Sequence, residues 1–456
     1  MKKTKSAENR IILGENGIED ATKLGVPRMV VLGLQHTFAM FGATVLVPIL
    51  TGLDVSTTLL MAGIGTLLFH LVTRGKVPVF LGSSFAFLGG YGAVAPLMDG
   101  VPNVEKLPYA CTGVLFAGLV YLLLSGLITL FGVKKIMRFF PPVVTGPIIV
   151  SIGLILAPNA IDNCQHNWLL AFIALAVIIA CNIWGRGMVK ILPILIGLAA
   201  SYLVALCIGA VDFQPIHDAG WFGLALNPKA FANLNFGDPQ VLSSIITIMP
   251  IALATMMEHI GDVAAVSATC GKNFLADPGL NKTLLGDGLA TSLAAFLGAP
   301  ANTTYGENTG VLALTKVYDP KVIRIAAVFA IVLSFFPKIG AAIQTIPAAI
   351  IGGISFVLYG MISAVGLRNM VDSKVDFTKS RNLIIAAVIL VSALGFNAVG
   401  GITIAFSPEY SMTLSGLAIA ALAGIILNAV LPGNDYEFDA FVSEESKGAD
   451  PMTFKV

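Results

Sequence analysis

Two short stretches carry groups that have no reason to sit in a greasy chain. The first runs from Pro300 to Lys316 and reads Pro-Ala-Asn-Thr-Thr-Tyr-Gly-Glu-Asn-Thr-Gly-Val-Leu-Ala-Leu-Thr-Lys. It lies between the apolar runs Leu284 to Leu297 and Val322 to Phe336. Backbone without regular hydrogen bonding survives in a bilayer only where protein buries it or water reaches it, so Asn302 to Gly310 reads as a broken helix facing a cavity. Glu307 within it is then a binding or proton-exchanging carboxylate by default. The second stretch, Met256-Met257-Glu258-His259-Ile260-Gly261-Asp262, follows Pro250 inside the apolar run 242 to 268. Glu258 and Asp262 are four apart and so share one helix face.

Weaker candidates accompany these carboxylates. His36, in Leu34-Gln35-His36-Thr37-Phe38, reads as a supporting residue that orients a carboxylate. Ser83-Ser84-Phe85-Ala86-Phe87 offers a second interrupted segment, with free backbone groups and an aromatic face suited to a flat polar ligand. Each has a structural alternative: Glu258 could bond a neighbouring helix, Asp262 could pair with Lys272, and the serine segment could be close helix packing by small residues. No Walker-type loop, HExxH, GxSxG or paired-cysteine metal pattern is present. A cofactor is not called for, and the energy for any transport must come from an ion gradient or from the solute's own.

The elements that must position these groups are membrane spans. The chain is 56% hydrophobic and 12% charged with mean hydropathy +0.87, which excludes an ordinary soluble domain. A net charge of +1 gives no electrostatic case for a nucleic-acid partner. The five cysteines lack metal-site spacing and read as small core residues. No removable signal is expected at the N-terminus. Windows of about 20 apolar residues suggest fourteen spans, near 29–50, 57–73, 79–98, 109–131, 139–158, 168–184, 189–210, 242–268, 283–298, 301–317, 322–336, 340–366, 382–405 and 411–432. With both termini cytoplasmic, only Lys106, Lys229 and Lys338 of the 27 Lys and Arg fall outside. A missed span would scramble that bias.

Internal echoes suggest two inverted seven-span halves, with spans 3 and 10 broken. Phe80-Leu81-Gly82 matches Phe296-Leu297-Gly298, which aligns Gly90 with Gly306. Pro27 and His36 are spaced like Pro250 and His259, and Pro141 with Gly146 like Pro347 with Gly352. The fold expected is an all-α polytopic membrane protein.

Glu307-Asn308-Thr309-Gly310, with Thr315-Lys316 beyond it, resembles the signature of the nucleobase–ascorbate transporter family. Asn302 to Asn308 is similar to its bacterial uracil permease branch, and the likeness runs from Gln35-His36 through Glu258-His259 to the Pro347 region. The resemblance implies a core domain (29–138, spans 1 to 4, and 242–338, spans 8 to 11) moving against a gate domain (139–241, spans 5 to 7, and 339–432, spans 12 to 14), with cytoplasmic tails at 1–28 and 433–456. It implies uracil held between the broken spans, with Glu258 and Glu307 on its N–H edge and backbone at Phe85 and Gly306 on its other polar atoms. Tyr305 would shape the pocket and His36 would steady Glu307, with Asp262 and Asn308 in support. A buried carboxylate beside a neutral base is costly unless protonated or well bonded, so proton symport follows, with Glu258 the preferred carrier. The expected setting is a bacterial inner membrane and its lipid, and the expected activity is not enzymatic.

Aspartate at 262 stands where uracil permeases of the family carry histidine and purine transporters aspartate. Glu307 stands where xanthine and urate transporters carry glutamine. The second position contacts the base and favours uracil, leaving a purine permease as the alternative and an anion exchanger of the same general fold as a distant one. Sodium in place of the proton, and association of two copies through the gate spans, stay open.

Overall fold

A computed structural model of the chain describes residues 17–96, 102–226, 237–405, 411–434 and 436. The acidic C-terminal tail and the first sixteen residues of the expected N-terminal tail lie outside the described residues. The molecule is mostly helical. In chain order the principal elements are α1 (Val26–Thr51), α2 (Val55–Val72), β1 (Leu81–Ser83), α3 (Leu88–Val94), α4 (Leu107–Phe131), α5 (Pro142–Gln165), α6 (Trp168–Trp184), α7 (Pro193–Cys207), α8 (Pro239–Ile248), α9 (Ile251–Cys270), α10 (Leu280–Phe296), β2 (Asn302–Thr304), α11 (Gly306–Thr315), α12 (Pro320–Ser334), α13 (Pro337–Gln344), α14 (Ala348–Asp372), α15 (Ser380–Ala398), β3 (Ile402–Ala405), β4 (Ser411–Leu414) and α16 (Gly416–Val430).

Among the described residues, seven helical segments are long and apolar enough to cross a bilayer, with α6, α7 and α16 shorter apolar helices. The chain is therefore a multi-pass membrane protein. Each of the fourteen apolar windows overlaps one or two of these elements, though several windows do not form one continuous helix. The run from 340 joins two helices: α13 stops at Gln344, and Pro347, which cannot continue a helix, starts α14 from an extended conformation. α12 and α13 meet at a bend of 83°. The windows ending at 405 and beginning at 411 contain strands. Gly400 and Gly401 take positive φ after α15 and release the chain into the antiparallel β3–β4 pair. The all-α expectation is thus corrected to a helical fold with two short sheets.

The helices pack in two groups. One joins α1, α2, α4 and α8 to α12; the other joins α5, α6, α7 and α14 to α16. The pairs α14 with α5 and α10 with α4 are the most extensive contacts of each group. α9 touches both, meeting α5 and α16 across the divide.

Two of the three sequence echoes coincide with matching structural places. Pro27 and Pro250 stand at helix starts, and His36 and His259 follow in α1 and α9, both fully buried. Pro141 and Pro347 precede α5 and α14. Gly146 then packs against Gly366 of α14, and Gly352 against Ala160 and Cys164 of α5. The third echo fails. Phe296-Leu297-Gly298 ends α10, whereas Leu81 and Gly82 lie in a strand, so 81–83 corresponds to 302–304 and not to 296–298. Phe85, two residues past β1, then occupies the place of Gly306, two residues past β2.

The segment before α1 is also not a free tail. Ile18 pairs with Val317, its N–H donating to Lys316 O at 2.7 Å, and Ala21 N–H donates to the buried Asp319 carboxylate at 2.8 Å. Lys321 pairs with Asp20, and Lys272 with Glu19. The Thr22 hydroxyl, aided by Lys321, holds the Asp20 carboxyl down at about 2.

Candidate functional site

The site is built where the two interrupted segments cross. β1 and β2 pair antiparallel, with Leu81 opposite Thr304, Gly82 opposite Thr303 and Ser83 opposite Asn302. Ser84 N–H donates to Ala301 O at 2.8 Å and Tyr305 N–H to Phe80 O at 3.1 Å, extending the ladder at both ends. Each half-strand supplies the hydrogen-bond partners that the other lacks at membrane depth. All six strand residues are buried.

Side chains lock the crossing. Tyr305 OH donates to Ser83 O at 2.9 Å and lies 3.2 Å from Ser83 Oγ, which also donates to Thr44 O at 2.9 Å. Gly82 is required here, because a Cβ would run into the Tyr305 ring. Asn302 donates to Met61 O at 3.0 Å, and Thr291 to Asn302 O at 2.8 Å, fixing β2 to α2 and α10.

α9 passes alongside β2 and α11, bringing the carboxylates to the crossing. Thr304 Oγ1 donates to Asp262 Oδ2 at 2.6 Å. Asp262 is thus bonded within the site and not paired with Lys272, which instead meets Glu19. Glu258, one turn earlier, is half-buried, and its Oε2 is buried with no hydrogen-bond partner from the protein. Glu307, in the first turn of α11, is half-buried, and the adjacent Gly306 is exposed. Both α9 carboxylates are within electrostatic reach of Glu307. Phe85 packs edge-on against Tyr359 of α14, centroids 6.0 Å apart. A cleft between the helix groups is lined by Phe85, Ile152, Leu156, Ile251 and Leu417, with Asn397 and Ser415 its polar members. Phe85 lines that cleft, while Glu258 and Glu307 do not.

His36 departs from its expected contact. It meets Asn308, whose Nδ2 donates to His36 O at 3.1 Å and lies 3.1 Å from Nδ1, so Asn308 and not Glu307 is its hydrogen-bond partner. The contact still pins α11 to α1, because Asn308 follows Glu307 on the helix; both His36 and Asn308 are at most 1% exposed. Sequence reasoning missed Thr304 as the Asp262 partner. It also missed Asp287, a fully buried carboxylate on α10 that faces His259. An acidic residue inside the apolar run 283–298 was the available signal.

Over residues 27–429 the sequence matches the model of a permease family, the nucleobase–ascorbate transporter family of the resemblance. The chain belongs to this family. It is 42% identical to a probable uracil permease of Haemophilus influenzae, over 88% of this chain and 94% of that one. It is 41% identical to the uracil permease of Bacillus caldolyticus, over 91% and 94%. Its fold is similar to the transmembrane domain of a cyanobacterium bicarbonate transporter, BicA, with TM-score 0.61 and 18% identity over 84% of this chain and 98% of that one. Likeness at that identity shows the fold alone, and lends no weight to anion exchange. As a permease, the chain is a transporter and not an enzyme.

Proposed function

We propose that this permease imports uracil by proton symport, with Glu258, Glu307, Phe85, Tyr305 and Gly306 forming the binding site. The observation that carries the reading is the unpartnered, buried Glu258 Oε2 beside the paired half-strands. A buried polar atom without a partner is costly, and a ring N–H of a neutral base would satisfy it. The names of the relatives favour uracil over other bases with such an edge. A carboxylate that must bond a neutral ligand at membrane depth is most cheaply loaded with its proton, so solute and proton enter together. Asp262, Asn308 and His36 hold the carboxylate-bearing elements in place.

In this reading the fourteen apolar stretches are two inverted sets of seven spans. The helices carrying the half-strands form a core that shifts against the gate helices α5 to α7 and α14 to α16, exposing the site alternately. Both termini face the cytoplasm of a bacterial cell, across its inner membrane.

The test is uptake of radiolabelled uracil into proteoliposomes under an imposed inward proton gradient, for the unmodified protein and for Glu258→Gln and Glu307→Gln. Gradient-dependent uptake that falls roughly tenfold to hundredfold or more in each variant, as loss of a hydrogen bond in a dry site implies, supports the reading. Entry of xanthine and not uracil moves the assignment to a purine permease.

A further inference from the structure

Away from the crossing, the segment between α7 and α8 leaves large apolar side chains in the open. Trp221, Phe222 and Leu224 are 68%, 77% and 72% exposed. Their backbone is nonetheless pinned. Gly223 N–H donates to Phe335 O at 3.1 Å, and a Cβ at Gly223 would press into the Pro337 ring. Lys338 Nζ donates to Ile216 O at 3.2 Å and stands over the Trp221 ring, 4.7 Å from its centroid. The Phe222 and Phe336 rings lie 5.0 Å apart. Ala225, which follows, is buried, and its carbonyl accepts from Thr57 Oγ1 of α2 at 2.7 Å. Fixed on both sides, the exposed run has no freedom to fold inward, and an apolar patch held open in this way has a partner.

The neighbours identify that partner. α12 packs against α1 and α2 and leaves Val328, Val332 and Phe335 exposed. These are four and three residues apart and so share one face. In a multi-pass protein, an open face of large apolar side chains on a spanning helix meets lipid. That strip ends at Phe335, whose carbonyl holds Gly223, and Trp221, Phe222 and Leu224 continue it past the helix end. The residue types fit the same place. An indole belongs at headgroup level, where one end of the ring is dry and the other wet, and a lysine there keeps its stem in apolar surroundings and its ammonium among polar atoms. The start of the segment is polar: Asp212 accepts from Gln214 N–H at 2.9 Å, and Gln214 Nε2 donates to Asp218 at 3.0 Å. A polar beginning and an apolar end suit the boundary between water and bilayer.

We propose that Trp221, Phe222 and Leu224 form an anchor seated in the headgroup layer at the Phe335 end of α12, its partner being phospholipid and not another protein. The contacts that hold the three side chains open tie them to α2, α12 and α13. The anchor therefore belongs to the helix group of α2 and α12, although the segment begins at α7.

The test is the fluorescence of Trp221 in the full-length protein, reconstituted in phosphatidylcholine–phosphatidylglycerol vesicles. The other two tryptophans are removed by Trp168→Phe and Trp184→Phe. Lipid brominated near the headgroup end of its chains should quench the indole at least about twofold more than lipid brominated near the chain ends, and acrylamide at least about twofold less than it quenches free tryptophan, as a ring at headgroup level requires. Full acrylamide quenching without lipid quenching puts the ring in water and overturns the proposal. Shielding from both quenchers puts protein over the ring and overturns it in favour of a protein contact. Stronger quenching from the chain ends places the ring too deep for an interfacial anchor and also overturns it. Should the double substitution fail to fold, the difference between the unmodified protein and Trp221→Phe gives the same readout.

Discussion

Tyr305→Phe isolates the hydroxyl that ties the two half-strands together. The ring stays against Gly82, so packing is kept. The bond to Ser83 O at 2.9 Å, the contact with Ser83 Oγ at 3.2 Å and the interaction with the Thr44 side chain are lost. Ser83 Oγ keeps its bond to Thr44 O, so the loss falls on the buried Ser83 carbonyl. One neutral bond is worth about 1 kcal/mol net, and a buried acceptor stripped of its partner costs about 1–3 kcal/mol. Where that loosening is repaid on binding, uracil affinity falls by roughly 5- to 100-fold. The assay is thermal unfolding of the purified protein with and without saturating uracil, because ligand stabilisation follows RT ln(1 + [L]/Kd). A lower melting temperature without uracil and a smaller uracil-induced rise are expected. Wild-type melting together with wild-type affinity, within twofold, would refute the idea that this hydroxyl sets the geometry of the crossing.

Thr304→Val keeps shape and strand propensity but removes the donor to Asp262 Oδ2. A buried acceptor stripped of its donor costs about 1–3 kcal/mol, so a rise of roughly fivefold or more in the uptake KM is expected in proteoliposomes, and a KM within twofold of the unmodified protein would exclude a role for the bond. In the segment before α1, the Asp20 carboxyl is held at about 2, below its usual 3.8, by Thr22 and Lys321. Its folded value is depressed, so its contribution is complete at neutral pH, still present at pH 4, and lost only as pH falls toward 2. Protection of the Thr22 amide in hydrogen exchange should follow that course, and loss of protection already at pH 5 would contradict it.

The parts legible in the sequence are those where the bilayer leaves the chain few options. Glu258, Asp262 and Glu307 stood out because ionisable groups in apolar runs are expensive, and a break over Asn302 to Gly310 stood out because unpaired backbone at that depth needs a local partner, although the helix already resumes at Gly306. The partner itself was not legible. The match between 80–82 and 296–298 rested on identical letters, yet Leu297 caps a helix while Leu81 pairs in a strand. Letters alone do not say which segment the antiparallel ladder selects. The same limit applies to His36. One histidine can orient either of two adjacent residues, and the rotation of α11 turns Asn308 toward α1.

Asp287 shows where that reasoning stops. A carboxylate in an apolar run marks a site only when its neighbours are known, and those of Asp287 come from α2, α4 and α9, far away in sequence. The glycines flanking it read as ordinary membrane-helix composition until the helices are docked and Gly288 is seen against Tyr121. Their smallness lets α10 approach α4 closely, and that approach shuts solvent away from the carboxylate. The group it meets there is His259, the residue next to Glu258. The polar crossing and the contact between His259 and Asp287 thus meet on one helix, α9.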